Sequence, residues 1–181
     1  MDDGTTFGHI GVNASAAEFS RNNFAERLLE RLHCSGVPAT YLELEVTETV
    51  FLGRGADYVE RALKILSAAG ISISLDDFGT GFASLSHLRK YPVNCIKIDR
   101  SFISDIQNDR EDAAIVKAVL DLGLGLGIKV VAEGVETYEQ KRHLAAKGCR
   151  FGQGFFLGRP MEAQLVPNFL AELAHPCSKI S

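Results

Sequence analysis

The chain has 181 residues, of which 46% are hydrophobic and 23% charged, a composition typical of one soluble domain with a sizeable core. Its formal net charge of −4 at pH 7 argues against the basic surface that binds a nucleic-acid polymer or an anionic membrane. Any phosphate ligand is therefore expected to be small and to be held locally.

The cysteines and the N-terminus indicate the compartment. The four cysteines lie far apart and form no C-x-x-C pair, so the sequence predicts neither a zinc motif nor a disulfide framework. The acidic N-terminus lacks an apolar core of signal-peptide length, and no segment approaches the roughly 20 apolar residues of a membrane span. We expect a cytoplasmic chain that makes no membrane contact.

Segments of alternating polarity and segments of helical spacing follow one another along the chain. Strands are predicted to end at Asn13 and to cover 41–46, 71–75, 93–98, 128–132 and 149–157. Helices are predicted over 21–34, 56–69, the residues before Pro92, 111–124, 137–147 and the tail after Pro160, and Thr137 with Gln140 is expected to form a capping box at the start of the fifth. Gly123, Gly125 and Gly127 are expected to loosen and end the fourth of these helices, since each glycine costs roughly 1 kcal/mol relative to alanine.

The order of strand and helix, repeated six times, predicts the fold class. It favours an α/β protein with a mainly parallel sheet and right-handed crossovers, folded as a single domain over residues 1–181. In a (β/α) TIM-type barrel the carboxyl ends of all strands meet at one mouth. In the strand at 41–46, Leu42, Leu44 and Val46 alternate with Glu43 and Glu45, and we expect Glu43 to lie on a solvated face.

The segment 71–85, ISISLDDFGTGFASL, contains the main candidate site. Its alternating apolar residues lead to Asp76 and Asp77, followed by a glycine-rich turn and a helix. Two adjacent carboxylates repel each other unless a cation lies between them, which indicates a metal site. Alternatively, such aspartates serve only as turn-formers or helix caps.

Nearly every predicted strand is followed by a polar residue that could coordinate or donate. These residues are Asn13, Glu45 with Glu48, Asp76 with Asp77, Lys97 with Asp99, Glu133 with Glu136, and Gln153. One polar ring at the mouth of a barrel explains all of them, whereas isolated caps and turns would require six coincidences.

The ligand types in this ring favour a particular class of metal. Asn13, Glu45, Asp76, Asp77 and Glu133 offer only oxygen atoms, which favour Mg²⁺ or Mn²⁺ over zinc. Several carboxylates at one mouth can hold two ions, which would activate a water and stabilise the leaving oxygen of a phosphodiester. Lys97 could then stabilise the developing phosphorane charge, although a solvent-exposed lysine at a strand end is the simpler interpretation.

Six motifs in order resemble the EAL-domain phosphodiesterases, which hydrolyse cyclic di-GMP. They are VNAS at 12–15, ELEVTET at 43–49, LDDFGTGFASLSHL at 75–88, IKIDRSFI at 96–103, VVAEGVET at 130–137 and GQGFFLGRPM at 152–161. The motif-bearing region is 8–175. The resemblance implies a TIM-type barrel and hydrolysis of cyclic di-GMP to linear pGpG, in a chain that can be coupled to sensor or GGDEF-type domains.

The resemblance also implies residue roles. Asn13, Glu45 and Asp76 would bind a first metal, and Asp76 would bridge to a second that is held by Asp77, with Glu133 and Asp99 nearby. Lys97 would contact the catalytic water, and Glu133 would act as general base or metal ligand. Gln153 would contact substrate, and Glu48 would stabilise the Asp-Asp-Phe-Gly loop. Glu136 would support the site without touching metal or substrate.

The sequence departs from the family in one respect. It contains no Glu-Ala-Leu motif, whose glutamate is a first-metal ligand in the family. The chain begins where the family's third strand would begin, so we expect an incomplete barrel of about six β/α units with open edges that favour a homo-oligomer. Two functions remain: a cyclic di-GMP phosphodiesterase, or an impaired module that binds cyclic di-GMP or a protein partner without turnover.

Overall fold

Six parallel strands form one sheet in the computed structural model, which describes residues 8–20, 23–52, 55–81 and 85–174. The strands are β1 (Ile10–Asn13), β2 (Leu42–Thr47), β3 (Ser72–Phe78), β4 (Cys95–Ile98), β5 (Lys129–Ala132) and β6 (Phe151–Gly152). Their order in the sheet is their order in the chain, and within the described residues β1 and β6 are the two edges. This open arrangement confirms the predicted α/β fold of an incomplete TIM-type barrel.

Helices connect the strands. They are α1 (Ala16–Phe19), α2 (Phe24–Cys34), α3 (Ala56–Ala68), α4 (Leu85–Lys90), α5 (Ser101–Ser104), α6 (Arg110–Leu126), α7 (Tyr138–Ala146) and α8 (Val166–Ala174). Three 3-10 turns cover Ala39–Tyr41, Glu48–Phe51 and Ala163–Leu165. The predicted capping box is confirmed at α7, where the Thr137 side chain accepts from the Gln140 backbone N–H. None of the described helices combines the length and apolar character that a bilayer span requires.

One face of the sheet carries the hydrophobic core. Alternate strand residues are almost fully buried there, and α3 and α6 contribute their apolar sides to the same cluster. The buried strand residues include Leu44, Val46, Ile73, Leu75, Ile96, Ile98, Val130 and Ala132. Because side chains alternate along a strand, the intervening polar residues lie together on the other face.

The expectation that Glu43 is solvated is wrong. Glu43 is only 4% exposed, and its carboxylate accepts from Lys129 Nζ and Ser72 Oγ, both at 3.3 Å, and contacts His9 Nε2 at 3.0 Å. Glu43 lies on β2 and Lys129 lies on β5, and β3 and β4 separate these two strands in the sheet. A contact across two intervening strands indicates that the polar face is concave. Glu43 is buried because the sheet curves around it.

Three predicted elements have different bounds in the structure. β3 continues through Asp76 and Asp77 to Phe78, and β6 covers only Phe151–Gly152 rather than 149–157. α6 continues through Gly123 and Gly125 and ends at Gly127, which has a φ of 69°. Gly123 allows α6 to approach β5, since a Cβ there would lie 2.3 Å from Val130 Cγ2.

Candidate active site

The polar residues singled out from the sequence lie at the carboxyl ends of the strands. Asn13 ends β1, Glu45 lies in β2, and Asp76 and Asp77 lie near the end of β3. Lys97 lies in β4, and four more follow a strand directly: Glu48 after β2, Asp99 after β4, Glu133 after β5 and Gln153 after β6. Glu136 lies in the turn after β5. The parallel sheet therefore places residues that are up to 140 positions apart in sequence at the same end of the strands.

Lys97 lies at the centre of this row of polar residues. Its Nζ is 2.6 Å from Glu133 Oε1, 2.7 Å from Glu45 Oε2 and 3.5 Å from Asp76 Oδ1. Its side chain is only 4% exposed, so it is not the solvent-exposed strand-end lysine of the simpler interpretation. Burial alone would lower the pKa of Lys97, but hydrogen bonds to Glu133 and Glu45 outweigh burial and raise that pKa, so the ammonium stays charged.

An irregularity in β3 brings two consecutive carboxylates together. In a regular strand Asp76 and Asp77 would point to opposite faces. Here the register with β4 shifts between Leu75 and Phe78, and Asp77 has a φ of 54°. Positive φ is uncommon for a residue with a side chain, although aspartate tolerates it better than most. The distortion turns Asp77 toward the same site as Asp76.

Asp76, Asp77 and Glu133 form an acidic group whose ligand atoms all lie within 4.8 Å of one another. Burial raises the pKa of Asp77, and the charges of Asp76 and Asp99 raise it further. Burial also raises the pKa of Glu133, outweighing the opposite effect of Lys97. Negative charge therefore exceeds what one ammonium neutralises, so the donor chemistry of this group suits a hard divalent cation.

Asp99 lies beside this group. Its side chain is hydrogen-bonded to Asp77, and its Oδ1 accepts from the Ser101 backbone N–H at 2.9 Å. Burial favours a raised pKa, but the hydrogen bonds from Ser101 outweigh it and hold the pKa of Asp99 below its ordinary value. Asp99 therefore stays ionised next to Asp77.

Asn13 and Glu45 lie on the β1 side of the site. They are register partners in the sheet, so their side chains share one face. Glu45 extends over Gly11, where a Cβ would lie 2.2 Å from Glu45 Oε1, and its other oxygen binds Lys97. Neither residue belongs to the group of three carboxylates.

The 3-10 turn Glu48–Phe51 supports the loop that follows β3. Glu48 is 5% exposed, and its Oε1 accepts from the Gly79 backbone N–H at 3.3 Å. Phe51 stacks on Tyr91, with ring centroids 4.3 Å apart, just after α4. The turn thus contacts the loop near its start and the helix at its end, while residues 82–84 of the predicted motif lie outside the described residues.

The turn after β5 is held by a residue to which the sequence analysis gave only a capping role. The buried Gln140 side chain accepts from the backbone N–H groups of Glu136 and Thr137 at 2.7 and 3.0 Å, and donates to Ser104 O at 3.1 Å.

The Glu136 and Gln153 side chains are exposed. The sequence analysis also gave no role to Phe51 or Lys129, because their partners are far away along the chain.

These features define a class: a parallel (β/α) protein with an oxygen-ligand cluster at the carboxyl ends of its strands. The EAL domain family matches residues 2–160, and the chain belongs to this family, which confirms the resemblance.

Relatives with a named activity share sequence and fold with this chain. MucR of Pseudomonas aeruginosa, a bifunctional diguanylate cyclase and cyclic di-GMP phosphodiesterase, is 44% identical over 91% of this chain. The chain spans only 24% of the length of MucR. A structure of the MucR phosphodiesterase with c-di-GMP matches 87% of this chain and 64% of its own, with a TM-score of 0.81 and 44% identity.

Metal-containing relatives are also similar. Klebsiella pneumoniae BlrP1 was solved with cyclic di-GMP and either manganese or calcium, with TM-scores of 0.78 and 0.77 and 34% identity. These matches cover 87% and 84% of this chain and 39% of BlrP1. Metal ions thus occur in solved relatives, and this chain has an acidic group able to hold one.

Proposed function

We propose that this chain forms the catalytic part of a metal-dependent phosphodiesterase that hydrolyses cyclic di-GMP to linear pGpG. The observation that carries the proposal is the convergence of Asp76, Asp77 and Glu133 beside the buried ammonium of Lys97. The cyclic di-GMP in the MucR and BlrP1 complexes supports this substrate.

The residues present fit Mg²⁺ or Mn²⁺ because they offer carboxylate and amide oxygens. In this proposal Asn13, Glu45 and Asp76 would hold one ion, and Asp77 and Asp99, together with Asp76, would hold a second. Bound divalent ions would supply an activated water at neutral pH and neutralise charge on the phosphodiester. The acidic group supports at least one of these ions, because its three ligand atoms lie within 4.8 Å of one another.

The remaining residues act on the substrate or on protons. The fixed positive charge of Lys97 stabilises negative charge that develops on the phosphate, and its burial strengthens this effect. Glu133 accepts a proton as general base or serves as a ligand; its raised pKa suits the first role, and its place in the acidic group suits the second. Gln153 contacts substrate from the exposed turn after β6. Glu48 and Glu136 support the two neighbouring loops.

The second candidate is a module that binds cyclic di-GMP or a protein partner without turnover. These 181 residues contain no Glu-Ala-Leu motif, so they do not by themselves supply that first-metal ligand of the family. For either function we propose a cytoplasmic homo-oligomer that is coupled to sensor or GGDEF-type domains. The bifunctional name and greater length of MucR support the coupling.

Incubation with cyclic di-GMP and Mn²⁺ or Mg²⁺, followed by chromatography, separates the two functions. We expect linear product that disappears with a chelator and with Asp76→Asn, while Asp57→Asn on the exposed start of α3 serves as the matched control. Intact substrate together with tight binding would support the second function instead. Product that resists the chelator would contradict the metal-dependent mechanism.

A further inference from the structure

Three of the carboxylates assigned to the metal site, Glu45, Asp76 and Glu133, also contact Lys97. Glu45 Oε2 and Glu133 Oε1 both accept short hydrogen bonds from its ammonium. Asp76 Oδ1 lies 3.5 Å away, so the ammonium contacts carboxylates on β2, β3 and the end of β5 at once. The ammonium thus provides the carboxylates with a positive charge that belongs to the protein itself.

We propose that Lys97 competes with a divalent cation for Glu45 and Glu133, and so limits the metal affinity of the site. This inference rests on the proposed metal-dependent function and goes beyond it. The Lys97 ammonium partly neutralises the carboxylates and occupies their lone pairs, which lowers the attraction that a second positive charge experiences. The same ammonium keeps Glu45 and Glu133 in place when no metal is bound.

One carboxylate of the acidic group is not paired with Lys97. Asp77 makes no ion pair with Lys97 among the described contacts and instead lies next to Asp76 and Asp99. Asp77 is therefore the ligand for which the ammonium does not compete directly. The competition concerns the shared carboxylates and not the whole site.

The competition predicts an unusual result, because removing an active-site residue should improve metal binding. Lys97→Met keeps the length of the side chain and removes its charge, so we expect Mn²⁺ to bind about tenfold more tightly or better. Hydrolysis of cyclic di-GMP should be lost in the same variant. Lys97→Arg, which keeps the charge, should not gain metal affinity.

The test is calorimetric titration of Mn²⁺ into the wild-type chain, the Lys97 variants and Lys117→Met, an exposed control on α6. Circular dichroism checks that each variant folds. If Lys97→Met does not fold, Lys97→Gln replaces it, since its amide still donates to one carboxylate. The shift of the thermal midpoint with added Mn²⁺ provides a second readout.

Each outcome decides the inference. Tighter binding by the neutral variants supports it, including the case in which the wild-type chain binds no metal. Equal or weaker binding by those variants overturns it and leaves the metal site in place. If neither the wild-type chain nor the variants bind metal, both the inference and the proposed metal-dependent function fail.

Discussion

At the scale of single residues, the site depends on a backbone conformation that turns two neighbouring aspartates in one direction. Asp77 has a φ of 54° and lies where the register of β3 and β4 shifts. Such a conformation is typical of functional sites, where the surrounding structure compensates for its cost. Here the strain brings Asp77 to Asp76 and Glu133.

Asp77→Asn tests the charge of this residue separately from its conformation. Asparagine tolerates positive φ, so we expect the fold to persist. Mn²⁺ or Mg²⁺ affinity should fall by about tenfold or more, because one charged ligand is lost. Calorimetric titration measures the affinity and thermal unfolding the stability, with Asp57→Asn as control. Unchanged metal titration would show that Asp77 is not a ligand.

At the scale of elements, the 3-10 turn Glu48–Phe51 fixes the loop after β3 from both sides. Glu48 contacts Gly79 near the start of the loop, and Phe51 contacts His87 and Tyr91, which lie in and just after the helix that follows the loop. None of these contacts includes Asp77 itself. The nearest of them holds the backbone of Gly79, two residues after Asp77.

Glu48→Ala should reduce activity without removing any group proposed to touch metal or substrate. Small displacements of reacting groups are costly, and we expect roughly a tenfold fall in kcat. Glu48→Gln retains an acceptor for Gly79 and should retain most of the activity. Leu52→Ala, at a half-exposed neighbouring position, is the control in the cyclic di-GMP assay. Equal loss in both Glu48 variants would indicate that the charge, and not the hydrogen bond, matters.

A second contact between elements lies on the same concave face, nearer the amino ends of the strands. The Glu43–Lys129 ion pair joins β2 to β5, the same elements that carry Glu45 and lead to Glu133. Glu43→Gln and Lys129→Met should each lower the free energy of unfolding by about 1–2 kcal/mol. Glu43→Gln removes the carboxylate partner of the Lys129 ammonium, and Lys129→Met leaves the buried Glu43 carboxylate with only Ser72 and His9.

A double-mutant cycle by urea unfolding measures this coupling. The double variant should lose little more than the worse single variant, because it leaves no unpaired charge. Glu26→Gln, in an exposed pair with Arg61, should cost no more than about 0.5 kcal/mol and serves as control. Losses that simply add would show that Glu43 and Lys129 act independently.

The sequence predicted the elements better than it predicted their curvature. Local periodicity located all six strands and the larger helices, and strand ends indicated which side chains would meet. Glu43 was assigned to solvent because alternation distinguishes two faces but does not say which polar face is enclosed. The β3 irregularity and the passage of α6 through Gly123 were missed because both depend on neighbouring strands.

At the scale of the whole molecule, the sheet has two edges within the described residues. β1 is one edge, with Ile10 59% and Val12 44% exposed, and β6 is the other, with Phe151 51% exposed. Edge strands expose unpaired backbone groups, and apolar side chains make such edges prone to association.

This chain on its own should therefore form oligomers or aggregate at micromolar concentration. Light scattering coupled to size-exclusion chromatography measures the mass directly. Ile10→Lys and Val12→Lys together should shift the chain toward monomer, since charged residues on an edge oppose pairing. A monodisperse monomer in the unmodified chain would contradict the expectation.

The central claim is that Asp76, Asp77 and Glu133 hold a divalent cation next to cyclic di-GMP. The most direct measurement is anomalous diffraction at the manganese edge, from crystals grown with Mn²⁺ and cyclic di-GMP. We predict an anomalous peak within about 2.0–2.3 Å of oxygen atoms from these three carboxylates, with a phosphate of the ligand beside it. Bound cyclic di-GMP with no peak at this cluster would contradict the claim.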